Sequence, residues 1–72
     1  MIEKSIFGKR VKEQRIELGM SQDELAKKLG YRSRSSIAKI EQGKNDIPQG
    51  KIKSFANALK CASSYFVEDA TR

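Results

Sequence analysis

Seventy-two residues are enough for one domain with one small core, burying about 60% of the surface that the unfolded chain exposes. The single cysteine, Cys61, excludes an internal disulfide, so packing must hold the fold, and a compact all-helical bundle is the economical solution. The net charge of +6, from 15 Lys+Arg against 9 Asp+Glu, favours a polyanionic partner, because neutralising phosphates releases counterions and gives affinity without sequence reading.

Ile6, Phe7, Val11 and Leu18 fall at helical steps and predict a first helix over about 2–18 with these four facing inward. Gly19 closes it in the left-handed conformation that glycine readily takes. Ser21-Gln22-Asp23-Glu24 matches a capping box and opens a second helix over about 21–29. Leu25, Ala26 and Leu29 form its inward face, and Gly30 stops it. Tyr31-Arg32-Ser33 is a turn, with Ser33 as N-cap of a third helix over about 34–42. Ile37 and Ile40 face inward there. Arg34 sits at its start, and Ser35, Ser36 and Lys39 share the remaining faces.

After Gly43 comes a polar loop, Lys44 to Pro48, and proline is tolerated at a helix start. Ile52, Phe55, Ala56 and Leu59 at i, i+3, i+4 and i+7 predict a fourth helix over about 49–60. Ser63 or Ser64 caps a last short helix over 63–67, containing Tyr65, Phe66 and Val67. The tail 68–72 is polar and expected to fray. The chain shows no internal repeat, linker or low-complexity tract. No apolar run approaches the roughly 20 residues of a membrane span, and the N-terminus lacks the apolar stretch of a signal peptide. The cytoplasm is the expected location.

The second and third helices with their glycine-started turn have the size and basic outer face that fit a DNA major groove. The blocks SQDELAKKLG, SSIAKIEQGK and IPQGKIKSFANALKC, with Arg15 in VKEQRIELGMSQ, resemble the lambdoid phage repressor and Cro-type, or XRE-like, helix-turn-helix family. The resemblance runs from about Phe7 to Phe66. Its two central blocks are specific in combination, whereas capping boxes and amphipathic helices alone are common. It implies a five-helix bundle whose third helix enters the major groove. It implies a phosphate contact for Gln22, base-facing roles for Arg34, Ser35 and Lys39, and phosphate contacts for Lys44 and Asn45. It also implies a partly buried ion pair between Arg15 and Glu41. The turn is one residue longer than in the shortest family members, which puts either Ser33 or Arg34 at the first base-contact position. Gln14 stands where many relatives carry an apolar residue, so the inward face of helix 1 is narrower.

The residue types suit these roles. Guanine presents two acceptors in the major groove, which Arg or Lys satisfies together, discriminating by ~1–3 kcal/mol against a wrong base. Arg34 lies at the end of the helix that reaches base edges. Ser35 and Ser36 are short enough to admit close approach and can bond a base or a phosphate. The Gln22 amide and the helix N-terminus both offer donors to an anion, and Ser33 is assigned to the same sugar–phosphate backbone. The bland alternatives are solvated charges at Arg34 and Lys39, an ordinary surface residue at Gln22 and a plain turn at Lys44 and Asn45. Phe7, Phe55 and Phe66 read as core, and Cys61 as a small half-buried residue.

The expected function is sequence-specific binding of double-stranded DNA by a transcriptional regulator, a repressor of the phage or prophage type. It would dock as a two-fold dimer on a palindromic operator, self-associating weakly unless a further C-terminal domain adds contacts. The alternative is a protein-interaction adaptor using helix 4 and the 65–67 patch, with only weak nonspecific DNA binding. An enzyme is not expected, nor any metal or cofactor. There is no histidine, the lone cysteine has no evident base, the acidic residues lack metal-ligand spacing, and no glycine-rich phosphate loop follows a strand pattern.

Overall fold

A computed structural model describes residues 3–62 and 64–67. The start of helix 1 at Ile2, the Ser63 cap and the tail 68–72 lie outside the described residues. The chain is all-α, with α1 (Lys4–Glu17), α2 (Gln22–Leu29), α3 (Arg34–Glu41), α4 (Ile52–Ala58) and α5 (Ser64–Val67). A 3-10 turn, Gln49–Lys51, leads into α4. The expected five-helix bundle is thus realised as four helices and one terminal turn of four residues. A turn that short cannot stand alone. Phe66 anchors it in the core, and Arg10 Nη1 donates to the Tyr65 carbonyl at 2.6 Å.

The core joins Phe7 and Val11 of α1, Leu25, Ala26 and Leu29 of α2, Ile37 and Ile40 of α3, Phe55 and Ala56 of α4, and Leu59 and Phe66. The Phe7 ring meets Phe55 and Phe66 edge-on, each with centroids 5.5 Å apart. Such pairs add ~0.5–1.5 kcal/mol beyond area burial. The three phenylalanines are core, and Phe66 is buried while Tyr65 is exposed, so these two do not share one apolar surface.

Helix α1 departs from its expected face. Phe7, Gly8 and Val11 are buried, but Ile6 and Leu18 are each 38% exposed and Ile16 is 58% exposed. The rest of the inner face carries polar groups with fixed partners. Gln14 Nε2 donates to the Leu59 carbonyl at 3.2 Å, satisfying a carbonyl that the end of α4 leaves without an intrahelical donor. Gln14 therefore narrows the apolar stripe and replaces it with a polar tie.

The expected fourth helix, 49–60, is shorter at both ends. Gly50 weakens α-helical propensity, and the segment after Pro48 closes as a 3-10 turn before Ile52. At the other end Lys60 adopts φ 56°, and the Cys61 N–H bonds back to the Ala56 carbonyl at 3.0 Å. This is a left-handed helix termination carried by a lysine rather than a glycine.

Candidate nucleic-acid interface

From Arg32 to Asn45 the sequence holds four cations, Arg32, Arg34, Lys39 and Lys44, against one acid, Glu41. Folding sorts these charges. Ser33 Oγ accepts the Ser35 N–H at 3.2 Å and starts α3. Ile37 and Ile40 point into the core, which turns the opposite side of the helix to solvent. Ser35, Lys39 and Gln42, at i, i+4 and i+7, are all exposed and share one stripe. Half-buried Ala38 lies between them and keeps that surface low. Arg34 is exposed in the first turn, beside exposed Arg32 and Ser33. Ser36 is half-buried on the flank of the helix. Lys44 and Asn45 are exposed just past its C-terminal end.

The one acid is hidden. The Glu41 side chain is 3% exposed and that of Arg15 12%. Arg15 Nε donates to Glu41 Oε2 at 2.7 Å and Nη2 to Oε1 at 3.2 Å, the two-pronged pairing that a guanidinium fork suits. Arg15 Nη1 also donates to the Met20 carbonyl at 2.8 Å. One side chain thereby fastens α1, the α1–α2 connection and the end of α3.

Gln22 joins this network. Its Nε2 donates to Glu41 Oε1 at 3.0 Å, so its amide is bound to the protein rather than open to solvent in all directions. An amide nitrogen carries two hydrogens, and this bond uses one. The start of α2 is thus held against the C-terminal end of α3, next to Lys44. Ser21 and Glu24 complete the capping box in both directions, each bond 3.0 Å.

Close packing fixes the position of α3. A Cβ at Gly8 would overlap the Ile40 carbonyl oxygen and come within 2.9 Å of that of Glu41. Only glycine allows α1 to approach the α3 backbone this closely.

The structure thus places Ser35 and Lys39 on the outward stripe of α3, Ser33 and Arg34 exposed at its start, and Gln22, Lys44 and Asn45 at its far end. Sequence reasoning missed Gln42 and Arg32. Gln42 was within reach, since it lies one turn beyond Lys39 on the same stripe. Arg32 belongs to the same run of basic residues but reads from sequence as part of the turn alone. Gly8 left no signal, because its role depends on a neighbour 32 positions away.

Residues 11–66 match a helix-turn-helix family model. The chain is 35% identical over 63 residues to an uncharacterised HTH-type transcriptional regulator of Sinorhizobium medicae, covering 88% of this chain and 45% of that protein. It is also 35% identical over 65 residues to an uncharacterised transcriptional regulator encoded in the ATPase CF(0) region of Rhodospirillum rubrum, covering 90% of this chain and 59% of that protein. The chain therefore spans about half the length of the curated relatives it matches. Among solved structures, the restriction-modification controller protein C.AhdI of Aeromonas hydrophila superposes with a TM-score of 0.79 at 30% identity, over 88% of this chain and 90% of the other.

Proposed function

The chain belongs to the XRE-like helix-turn-helix family, and from that premise we propose that it is the DNA-reading part of a transcriptional regulator. It binds double-stranded DNA with α3 in the major groove. One observation carries this reading: the outward stripe of α3 holds hydroxyl, ammonium and amide groups flanked by arginines, while the one acid of that helix, Glu41, is buried under Arg15. A helix that hides its single negative charge presents a face that suits a polyanion.

On this reading Arg34, Ser35 and Lys39 meet base edges, with Ser36 at the margin of that contact. Gln22, Ser33, Lys44 and Asn45 hold phosphates, and Glu41 aims the Gln22 amide toward them. The regulator acts as a repressor of the phage or prophage type, in which α3 occupies an operator and blocks the promoter. Two copies bind a palindrome with half-site centres about 10 bp apart.

The test is selection of a duplex from random DNA, followed by salt titration of the variants. Lys39→Ala should change the selected sequence. Lys44→Ala should weaken binding to all sequences alike and shallow the log–log salt slope by about 0.9. If neither substitution alters binding, this docking is wrong. A parent chain that binds DNA weakly and without preference would favour the adaptor reading.

A further inference from the structure

Lys51 sits in the 3-10 turn before α4, 22 residues beyond the end of α2. Its Nζ donates to the Leu29 carbonyl at 3.2 Å and lies 5.1 Å from the centroid of the Tyr31 ring. Both partners flank the glycine that turns the chain from α2 toward α3. Leu29 is the last residue of α2, where carbonyls lack intrahelical donors and the helix end is partly negative. Gly30 follows in the left-handed conformation, φ 80°, and the Tyr31 N–H returns to the Ala26 carbonyl at 2.9 Å. Tyr31 packs against the core. Immediately after it come exposed Arg32, Ser33 and Arg34.

We infer that Lys51 is a positioning residue for DNA reading: it clamps the α2–α3 turn from a distant segment and so fixes where Arg32, Ser33 and Arg34 are presented. The ammonium fills the open end of α2 and binds the aromatic face next to it. Each contact alone is modest, but together they join the two sides of the turn from a distant segment, whereas the Ser33–Ser35 bond acts only locally at the start of α3. Half-buried behind the turn, Lys51 acts through its partners rather than by touching DNA. The inference rests on the DNA-binding reading for its consequence, though not for the clamp itself.

Two measurements on the 72-residue chain test it, with Lys51→Met, which keeps the stem and removes the charge, and Lys51→Arg, which keeps a donor and a cation. The first is amide hydrogen exchange without DNA. The Tyr31 amide should exchange faster in Lys51→Met, relative to amides in the middle of α1, and recover in Lys51→Arg. The second compares binding to the duplex selected by the parent chain with binding to a scrambled duplex. Lys51→Met should lower the ratio of the two affinities about tenfold, the size of one lost base contact, with the salt slope unchanged. Lys51→Arg should restore most of that ratio. Unchanged Tyr31 exchange would overturn the clamp. A salt slope reduced by about 0.9 with equal loss on both duplexes would overturn the positioning role, since Lys51 would then be a phosphate contact. A parent chain without sequence preference sinks the DNA reading, while the exchange measurement still decides the clamp.

Discussion

At the scale of single residues, the interface depends on how one carboxylate is disposed of. Glu41 lies at the end of the helix assigned to DNA, where an exposed negative charge would repel phosphates. Its burial is tolerated because Arg15 and Gln22 supply three donors to its two oxygens. A buried pair of this kind adds little net stability, yet removing one partner strands the other charge and costs about 3–5 kcal/mol. Against a total of roughly 5–15 kcal/mol for a domain, Glu41→Ala should lower the melting temperature severely. An unchanged thermal midpoint would mean that the pair supports nothing. The loss should exceed that from Lys39→Ala, whose side chain is exposed and which should melt close to the parent.

Burial also leaves a signature at alkaline pH. It pushes the Tyr31 phenol and the Cys61 thiol above their ordinary values. Both groups are acids whose neutral form the fold prefers, so their contribution to stability is fully present below the ordinary values and is lost as pH rises through the raised ones. The urea midpoint should hold to about pH 8 and decline beyond about pH 9–10. Tyr31→Phe should flatten the upper part of that decline. A Phe variant that tracks the parent throughout would count against a desolvated phenol. Of these residues, Arg15 and Glu41 were legible only through the resemblance to a family, since nothing in their spacing pairs positions 26 apart. The Gln22 tie was not legible at all, because a glutamine at the first turn of a helix reads as exposed until the end of α3 is placed beside it.

At the scale of elements, helices with a glycine stop and a clear cap were readable, and those shaped by a neighbour were not. The boundaries of α2 and α3 followed from Ser21, Gly30, Ser33 and Gly43, whose roles are local. The face of α1 departs from its periodicity at Ile6 and Leu18 because the helix spends part of its inner side on Gly8, Gln14 and Arg15, which answer to α3 and Leu59 rather than to apolar periodicity. The early end of α4 at Ala58, closed by the left-handed Lys60, is likewise a backbone choice that a lysine does not announce. Gly8 offers the sharpest test at this scale. Gly8→Ala gains about 1 kcal/mol of helix propensity, but its methyl meets carbonyl oxygens of α3 that cannot step aside without moving the helix. Overpacking of this kind costs typically about 1–3 kcal/mol, so the urea midpoint should fall. DNA affinity should fall further than stability alone accounts for, because α3 is pushed outward. Equal stability and affinity in the variant would show that α1 and α3 part more easily than their packing implies.

At the scale of the whole molecule, charge and dimensions bear on the proposal that two copies share an operator. The net charge of +6 opposes self-association in free solution and favours it on DNA, where phosphates screen the repulsion. The chain measures 33 × 23 × 20 Å along its principal axes. Half-sites one turn apart are separated by about 34–36 Å, so two copies on one face of the duplex lie side by side with room for only a small mutual contact. A small contact gains its effect from proximity, since the first bound copy raises the local concentration of the second. Cooperation should therefore depend on spacing. With half-sites about 10 bp apart, binding to the palindrome should be tighter than two independent half-sites predict. Inserting about 5 bp rotates the second site to the opposite face and should reduce binding to the independent value. Inserting a full turn restores the face but not the contact, and should leave binding independent as well. A titration that finds the same affinity at all three spacings would show that the copies do not touch, and the two-fold dimer would have to be abandoned while single-site reading by α3 stood.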